Sequence, residues 1–146
     1  IEKVDGPNHI KVVEEFGYEM YLHCGAIRKV LLAYQSPSFI EEYVKKIIEH
    51  DHAFPRVDAG DLRDELKRIR QSGYAITYGE YVNDAVGIGA PVFNSEGELA
   101  GSIGIIAPTI RLNSEELLKV QLEYVQKFAA DLSREIGYSP LFSSKA

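Results

Sequence analysis

VGIGAPVFNSEGELAGSIGIIAPTIRL, residues 86–112, is the stretch whose reading decides the fold. Two apolar runs flank Asn94-Ser95-Glu96-Gly97, residues that favour turns, so the stretch predicts a long antiparallel hairpin. The second run stops at Pro108, and Asn113-Ser114-Glu115-Glu116 opens a helix. A strand pair this apolar is built for burial. Its glycines at 87, 89, 101 and 104 are unusual inside strands, because each gives up side-chain packing and backbone entropy. Glycine in such a place marks a bulge, a bend or the close approach of another body.

Upstream of this hairpin the pattern alternates between short strands and helices. Residues 1–4 and 10–13 flank Asp5-Gly6-Pro7-Asn8 and predict an opening hairpin, and 18–22 predicts another short strand. After His23-Cys24-Gly25 the period turns helical, with Ile27, Val30, Leu31 and Tyr34 on one face of residues 26–35. Ser36 and Pro37 then read as the N-cap and first turn of a helix whose apolar stripe runs from Phe39 to Ile48. Residues 50–58 are irregular. A charged helix over 59–72 carries Leu62, Leu66 and Ile69 on one face and ends at Gly73. Residues 74–78 alternate as a strand, and 79–85 connect it to the hairpin.

Downstream, an apolar period from Leu117 to Ile136 predicts a terminal helix over 114–135, ended by Gly137. Residues 1–138 read as one domain and 139–146 as a tail. Strands joined by hairpins, with helices in separate blocks, predict an α+β fold: an antiparallel sheet of about six strands with flanking helices. Such a sheet can enclose a small-molecule pocket where loops meet one of its faces.

Composition narrows the classes. The chain has 146 residues, 45% of them hydrophobic and 26% charged, as in a globular domain with a real core. A net charge of −6 argues against nucleic-acid binding by this piece alone, since phosphates need a surplus of Lys and Arg. No apolar run approaches the ~20 residues of a membrane span. The single Cys24 has no internal disulfide partner, which suits a reducing cytoplasm. The chain begins at Ile1 in strand-like sequence, and the expectation is a piece of a longer protein.

Candidate chemistry is sparse. His23-Cys24 invites a nucleophile reading, but adjacent residues of an extended segment point to opposite faces, and a free Cys is usually a small buried hydrophobe. His50-Asp51-His52 offers imidazole and carboxylate ligands, with no third or fourth ligand at a recognised spacing. V-G-I-G-A-P lacks the spacing and the following helix of a phosphate loop. The carboxylates Glu14-Glu15, Glu41-Glu42, Glu80 and Glu115-Glu116 read as polar faces or helix starts. Cys24-Gly25-Ala26-Ile27 differs from these, because it enters a helix with no Ser, Thr, Asp or Asn at the cap. Two readings stand: the bare first-turn N–H groups receive a carboxylate or other anion, or Gly25 caps adequately and water serves the rest.

The ordered segments resemble a known family. Leu22-His23, Lys29 and Leu31-Leu32-Ala33 are similar to L-H-A-[ST]-[AG]-x-G-K-x-L-L-A, and Glu65-Leu66, Ile69-Arg70 and Gly73-Tyr74-Ala75 to E-L-x-x-I-R-x-x-G-Y-A. Ile88-Gly89-Ala90-Pro91-Val92-Phe93 looks like I-A-A-P-V-F, and Ala107-Pro108 with Arg111 looks like S-G-P-x-x-R. Together, in this order, they resemble the C-terminal effector-binding domain of IclR-type bacterial transcriptional regulators. The resemblance implies a GAF/PAS-like fold and a ligand sensor acting through an N-terminal winged helix-turn-helix absent from this chain. It also implies self-association as dimer or tetramer, a small-molecule effector, no catalysis and no cofactor.

By position, the resemblance maps the effector pocket to the backbone of Ala26 and Ile27 and to Thr77, Gly87, Gly104 and Ile106. In relatives the last four positions include an acid, a Cys and two Ser; here only Thr77 keeps a polar side chain. The Ser or Thr expected at Gly25 and the Gly expected at Arg28 are also absent. The expectation is a larger or more apolar effector, with Gly87 and Gly104 making room, while Gly89 and Gly101 serve sheet geometry. The alternatives are a dimerisation or protein-sensing domain without a small ligand, and an enzyme using Cys24.

Overall fold

The structure, a computed structural model, describes residues 2–12, 19–50 and 55–140. The central hairpin forms as expected from β2 (Ala85–Phe93) and β3 (Leu99–Pro108). Asn94 closes its turn, its Oδ1 accepting from the backbone N–H of Glu96 and Glu98 at 3.0 and 2.9 Å. β1 (Ala75–Tyr78) pairs antiparallel with the other edge of β2, giving the strand order β1-β2-β3.

The sheet is narrower than the sequence predicts, with three strands among the described residues in place of about six. Residues 2–12 form no ladder, and Val4 and Ile10 face water. An alternating pattern makes a stable strand only where one face has something to cover, and a lone hairpin is marginal in water. Residues 19–22 lead instead into a turn closed by Cys24 N–H donating to the Tyr21 carbonyl. Ile1, Val13 and Tyr18, which belonged to the expected strands, lie outside the described residues.

The helices follow their caps. The helix α1 (Ala26–Ala33) stops two residues short of expectation, and its buried face carries Ala26, Lys29, Val30, Leu32 and Ala33, not Ile27, Leu31 and Tyr34. The next helix, α2 (Pro37–Tyr43), begins at Ser36, whose hydroxyl accepts from Phe39 N–H, and runs on through a π-helical stretch, Val44–Ile48. Asp58 caps α3 (Ala59–Ser72), and Gly73 ends it in the left-handed region at φ 77°. Ser114 caps α4 (Glu115–Glu135) through Leu117 N–H.

Strand periodicity of two sorts the sheet into two faces. On one, Ile88, Ala90 and Val92 pack with Ile76, Ile103 and Ile105 against Val125 and Ala129 of α4. On the other lies α1, backed by α3 through Val30, Leu32, Leu62, Leu66 and Ile69. No described helix is long and apolar enough to cross a membrane.

Candidate functional site

The α1 side of the sheet is nearly bare of side chains. Thr77, Gly87 and Ile106 stand level across the three strands, and Ala75, Gly89 and Gly104 form the next level on the same face. Ser102 lies two residues further along β3. A face built from glycine and alanine lets a helix approach to backbone distance. Here α1 takes that place: a Cβ at Gly89 would stand 3.0 Å from the Ala26 carbonyl and from Ile27 Cα. At Gly104 it would stand 2.6 Å from Ile27 Cγ1 and closer still to the Ile88 carbonyl oxygen, inside van der Waals contact with both.

All six residues mapped from the resemblance therefore share one seam between α1 and the sheet. Ala26 and Ile27 press on Gly87, Gly89 and Gly104 while Thr77 and Ile106 flank Gly87. The space beside Gly104 is filled by the Ile27 side chain. Gly89, read from sequence as sheet geometry, is part of the helix seat, whereas Gly101 has open space beside it.

The uncapped start of α1 is satisfied from within. Gly25, at φ 87°, supplies no side chain. Its N–H donates to Glu80 Oε2 at 3.0 Å, and Ala26 N–H donates to Thr77 Oγ1 at 3.0 Å. Ser102 Oγ in turn donates to the Ile27 carbonyl at 3.0 Å. The capless turn is thus satisfied within the chain, by the Glu80 carboxylate and the Thr77 hydroxyl, an arrangement neither of the two open readings named.

Glu80 also meets Lys29, whose side chain lies in the protein interior. The Lys29 ammonium is 2.5 Å from Glu80 Oε1 and 2.8 Å from both oxygens of Glu65. Two carboxylates that reach solvent flank the one buried ammonium, and their attraction offsets part of its desolvation. Glu80 belongs to residues 79–84, which connect β1 to β2 and lie along the start of α1. Arg28 stacks on the Tyr81 ring at 4.7 Å and donates to the Cys24 carbonyl.

His23 and Cys24 are both buried. The His23 Nε2 lies 2.9 Å from the Pro55 carbonyl, which can only accept, so Nε2 carries the proton and Nδ1 accepts from Tyr43 Oη at 2.8 Å. Burial holds the imidazole below its ordinary value and keeps it neutral. Burial likewise pushes the Cys24 thiol up, Arg28 opposing, and the thiol donates to the Glu80 carbonyl. That environment makes a structural cysteine, not a thiolate nucleophile. Among the described residues no group of three or more His, Cys, Asp or Glu is placed to hold a metal; Asp51 and His52 lie outside them.

Sequence reasoning missed Glu80, Glu65 and Ser102. Glu80 and the α3 carboxylate read as surface charge, and Ser102 as one more residue of an apolar strand. Two signals pointed to them: Lys29 sits i+3 from Ala26 on the face that α1 buries, and Ser102 shares its face with Gly104 and Ile106.

Known proteins resemble this chain in sequence and fold. The family profile described as bacterial transcriptional regulator IclR C-terminal covers residues 1–134. The HTH-type transcriptional regulator KipR of Bacillus subtilis is 29% identical over 95% of this chain and 56% of its own length. RhmR, an HTH-type regulator of Escherichia coli, is 30% identical over the full chain and 56% of its own length. The crystal structure of the Thermotoga maritima IclR superposes with a TM-score of 0.81 at 25% identity, covering 94% of this chain and 56% of that one. The chain thus spans about half the length of the curated relatives it matches. These relatives are regulators and not enzymes, and this chain belongs to the IclR family of bacterial transcriptional regulators, matching its C-terminal domain.

Proposed function

We propose that this chain is the effector-responsive, self-associating domain of a cytoplasmic IclR-type regulator. It binds a small catabolite and transmits the event to a DNA-binding domain elsewhere in the full protein. The observation that carries this reading is the seam between α1 and the sheet. Ala26, Ile27, Thr77, Gly87, Gly104 and Ile106 gather there, around a helix start whose N–H groups are held by replaceable oxygens, those of Glu80 and Thr77.

An effector carboxylate competes with Glu80 for the first turn of α1. Its body displaces Ile27 from the glycine-lined face, which favours an apolar or aromatic ligand over a small polar keto acid. Each hydrogen bond a buried polar ligand leaves unmatched costs about 1–3 kcal/mol, and Gly87, Gly104 and Ile106 offer no polar side chain to match it.

One observation favours a second reading, a dimerisation or protein-sensing domain without a small ligand: α1 already occupies the glycine face at backbone contact. Thermal-shift screening of the chain against aromatic acids and short keto acids separates the two. Stabilisation by an aromatic acid supports the sensor. Stabilisation by glyoxylate or pyruvate alone overturns the apolar-effector reading, and stabilisation by none favours the ligand-free domain.

A further inference from the structure

The outer side of α4 carries a second pattern that packing on the sheet leaves unused. Leu118, Leu122, Val125, Ala129 and Ser133 face the core or its margin, as a helix over a sheet requires. Yet Leu117, Val120, Tyr124, Phe128, Leu132 and Ile136 recur at three- and four-residue spacing and remain exposed, Tyr124 and Phe128 at 53% each. Single exposed apolar residues need no explanation, but an unbroken stripe five turns long does.

A row of charges accompanies this stripe on one flank: Glu116, Glu123, Lys127 and Arg134, all within about 40° of one another around the helix. Its order is self-complementary when reversed. About Val125 as mirror point, Glu123 reflects onto Lys127 and Glu116 onto Arg134, and each reflection joins opposite charges. At 100° per residue Lys119 and Asp131 turn about 60° to opposite sides of this row, and Glu115 and Glu135 about 100°, so neither of those reflected pairs meets across the contact. Within the chain Asp131 is shared between Lys127 and Arg134, surface contacts that cost little to exchange.

From this pattern we infer that α4 is an interface for a second copy of this chain, the two helices antiparallel across a two-fold axis level with Val125. A two-fold antiparallel pair brings the same flank of both helices together, so the reversed charge order is the order such a pair needs. The apolar residues interlock in the same register. Phe128 falls level with position 122 of the second copy, between its Val120 and Tyr124, and Leu132 falls between Leu117 and Val120. This inference rests on the self-association in the proposed function and names its surface.

Sedimentation equilibrium of the 146-residue chain tests it, with variants at exposed positions whose monomer fold is checked by circular dichroism. Wild type is expected to dimerise, and Phe128→Lys to raise the dissociation constant at least tenfold. Lys127→Glu sets two carboxylates against each other at both symmetry-related contacts, and Glu123→Lys sets two ammonium groups there, so each variant alone weakens the dimer severalfold. Mixed together, the two recover one acid–base pair at one contact and its reversed counterpart at the other, and a heterodimer tighter than either homodimer is expected. Homodimers of these variants as tight as wild type, or no preference on mixing, overturn the α4 interface while leaving self-association standing. A wild-type chain that stays monomeric at the highest attainable concentration overturns both. A monomer whose melting temperature falls in Phe128→Lys overturns them in favour of coverage by the chain's own residues.

Discussion

Glu80 Oε1 lies 2.5 Å from the Lys29 ammonium, joining residues 51 positions apart and fixing the connection after β1 to the start of α1. Lys29→Met removes the cation and leaves Glu65 and Glu80 facing one another. Both carboxylates reach solvent, so the loss is roughly 1–3 kcal/mol, below the ~3–5 kcal/mol of a fully buried pair. Glu80→Ala costs more than Glu65→Ala, because Glu80 also accepts from Gly25 N–H. Urea denaturation of the three variants checks both the size and the order.

Thr77→Val keeps the shape of a 5% exposed side chain and deletes the acceptor of Ala26 N–H. An amide left unsatisfied in the interior costs about 1–3 kcal/mol. The expected readout is a lower denaturation midpoint together with faster hydrogen exchange at Ala26. Unchanged exchange there contradicts the role assigned to Thr77.

Gly104→Ala tests the glycine seat. The added methyl would meet the Ile27 side chain and the Ile88 carbonyl, and the latter is backbone and cannot yield cheaply. Overpacking of this kind costs about 1–3 kcal/mol, sometimes more. Gly101→Ala, with open space beside it on the same strand, is expected to be near neutral. Thermal melts of the pair measure the contrast directly.

How stability varies with pH follows from His23. Burial depresses its folded value below the ordinary 6.5, so below that value the unfolded chain binds more protons than the folded one. The stabilisation from keeping His23 neutral is therefore complete above 6.5 and is lost as pH falls beneath it. Melting temperature is expected to drop between about pH 7.5 and 5.5, and His23→Gln to flatten that slope while lowering stability throughout. An equal slope in both proteins would assign the pH dependence elsewhere.

Much of this was legible in the chain because local chemistry decided it. Asp58 and Gly73 bracket α3, and Ser36-Pro37 and Ser114 start their helices, each by satisfying end groups the helix itself cannot. Asn94 likewise marked the hairpin. What sequence could not show was which partner each exposed-looking group would find. Glu80 and Lys29 are ordinary charges until α1 is laid on the sheet, and the rotation of that helix by one residue position decides whether Lys29 is inside. The surplus of predicted strands has the same origin, since alternation around Val4 and Ile10 says nothing about whether a surface is there to cover. The glycines read as a bulge, a bend or the close approach of another body, with Gly89 assigned to sheet geometry; at Gly87, Gly89 and Gly104 the body that approaches is α1.

The central claim is that an effector enters by displacing Ile27 from the glycine face. Calorimetric titration of wild type and Ile27→Ala with an aromatic acid identified by thermal shift tests it most directly. The account predicts at least tenfold tighter binding to Ile27→Ala, because the volume beside Gly104 is already cleared. Equal or weaker binding to Ile27→Ala would contradict it.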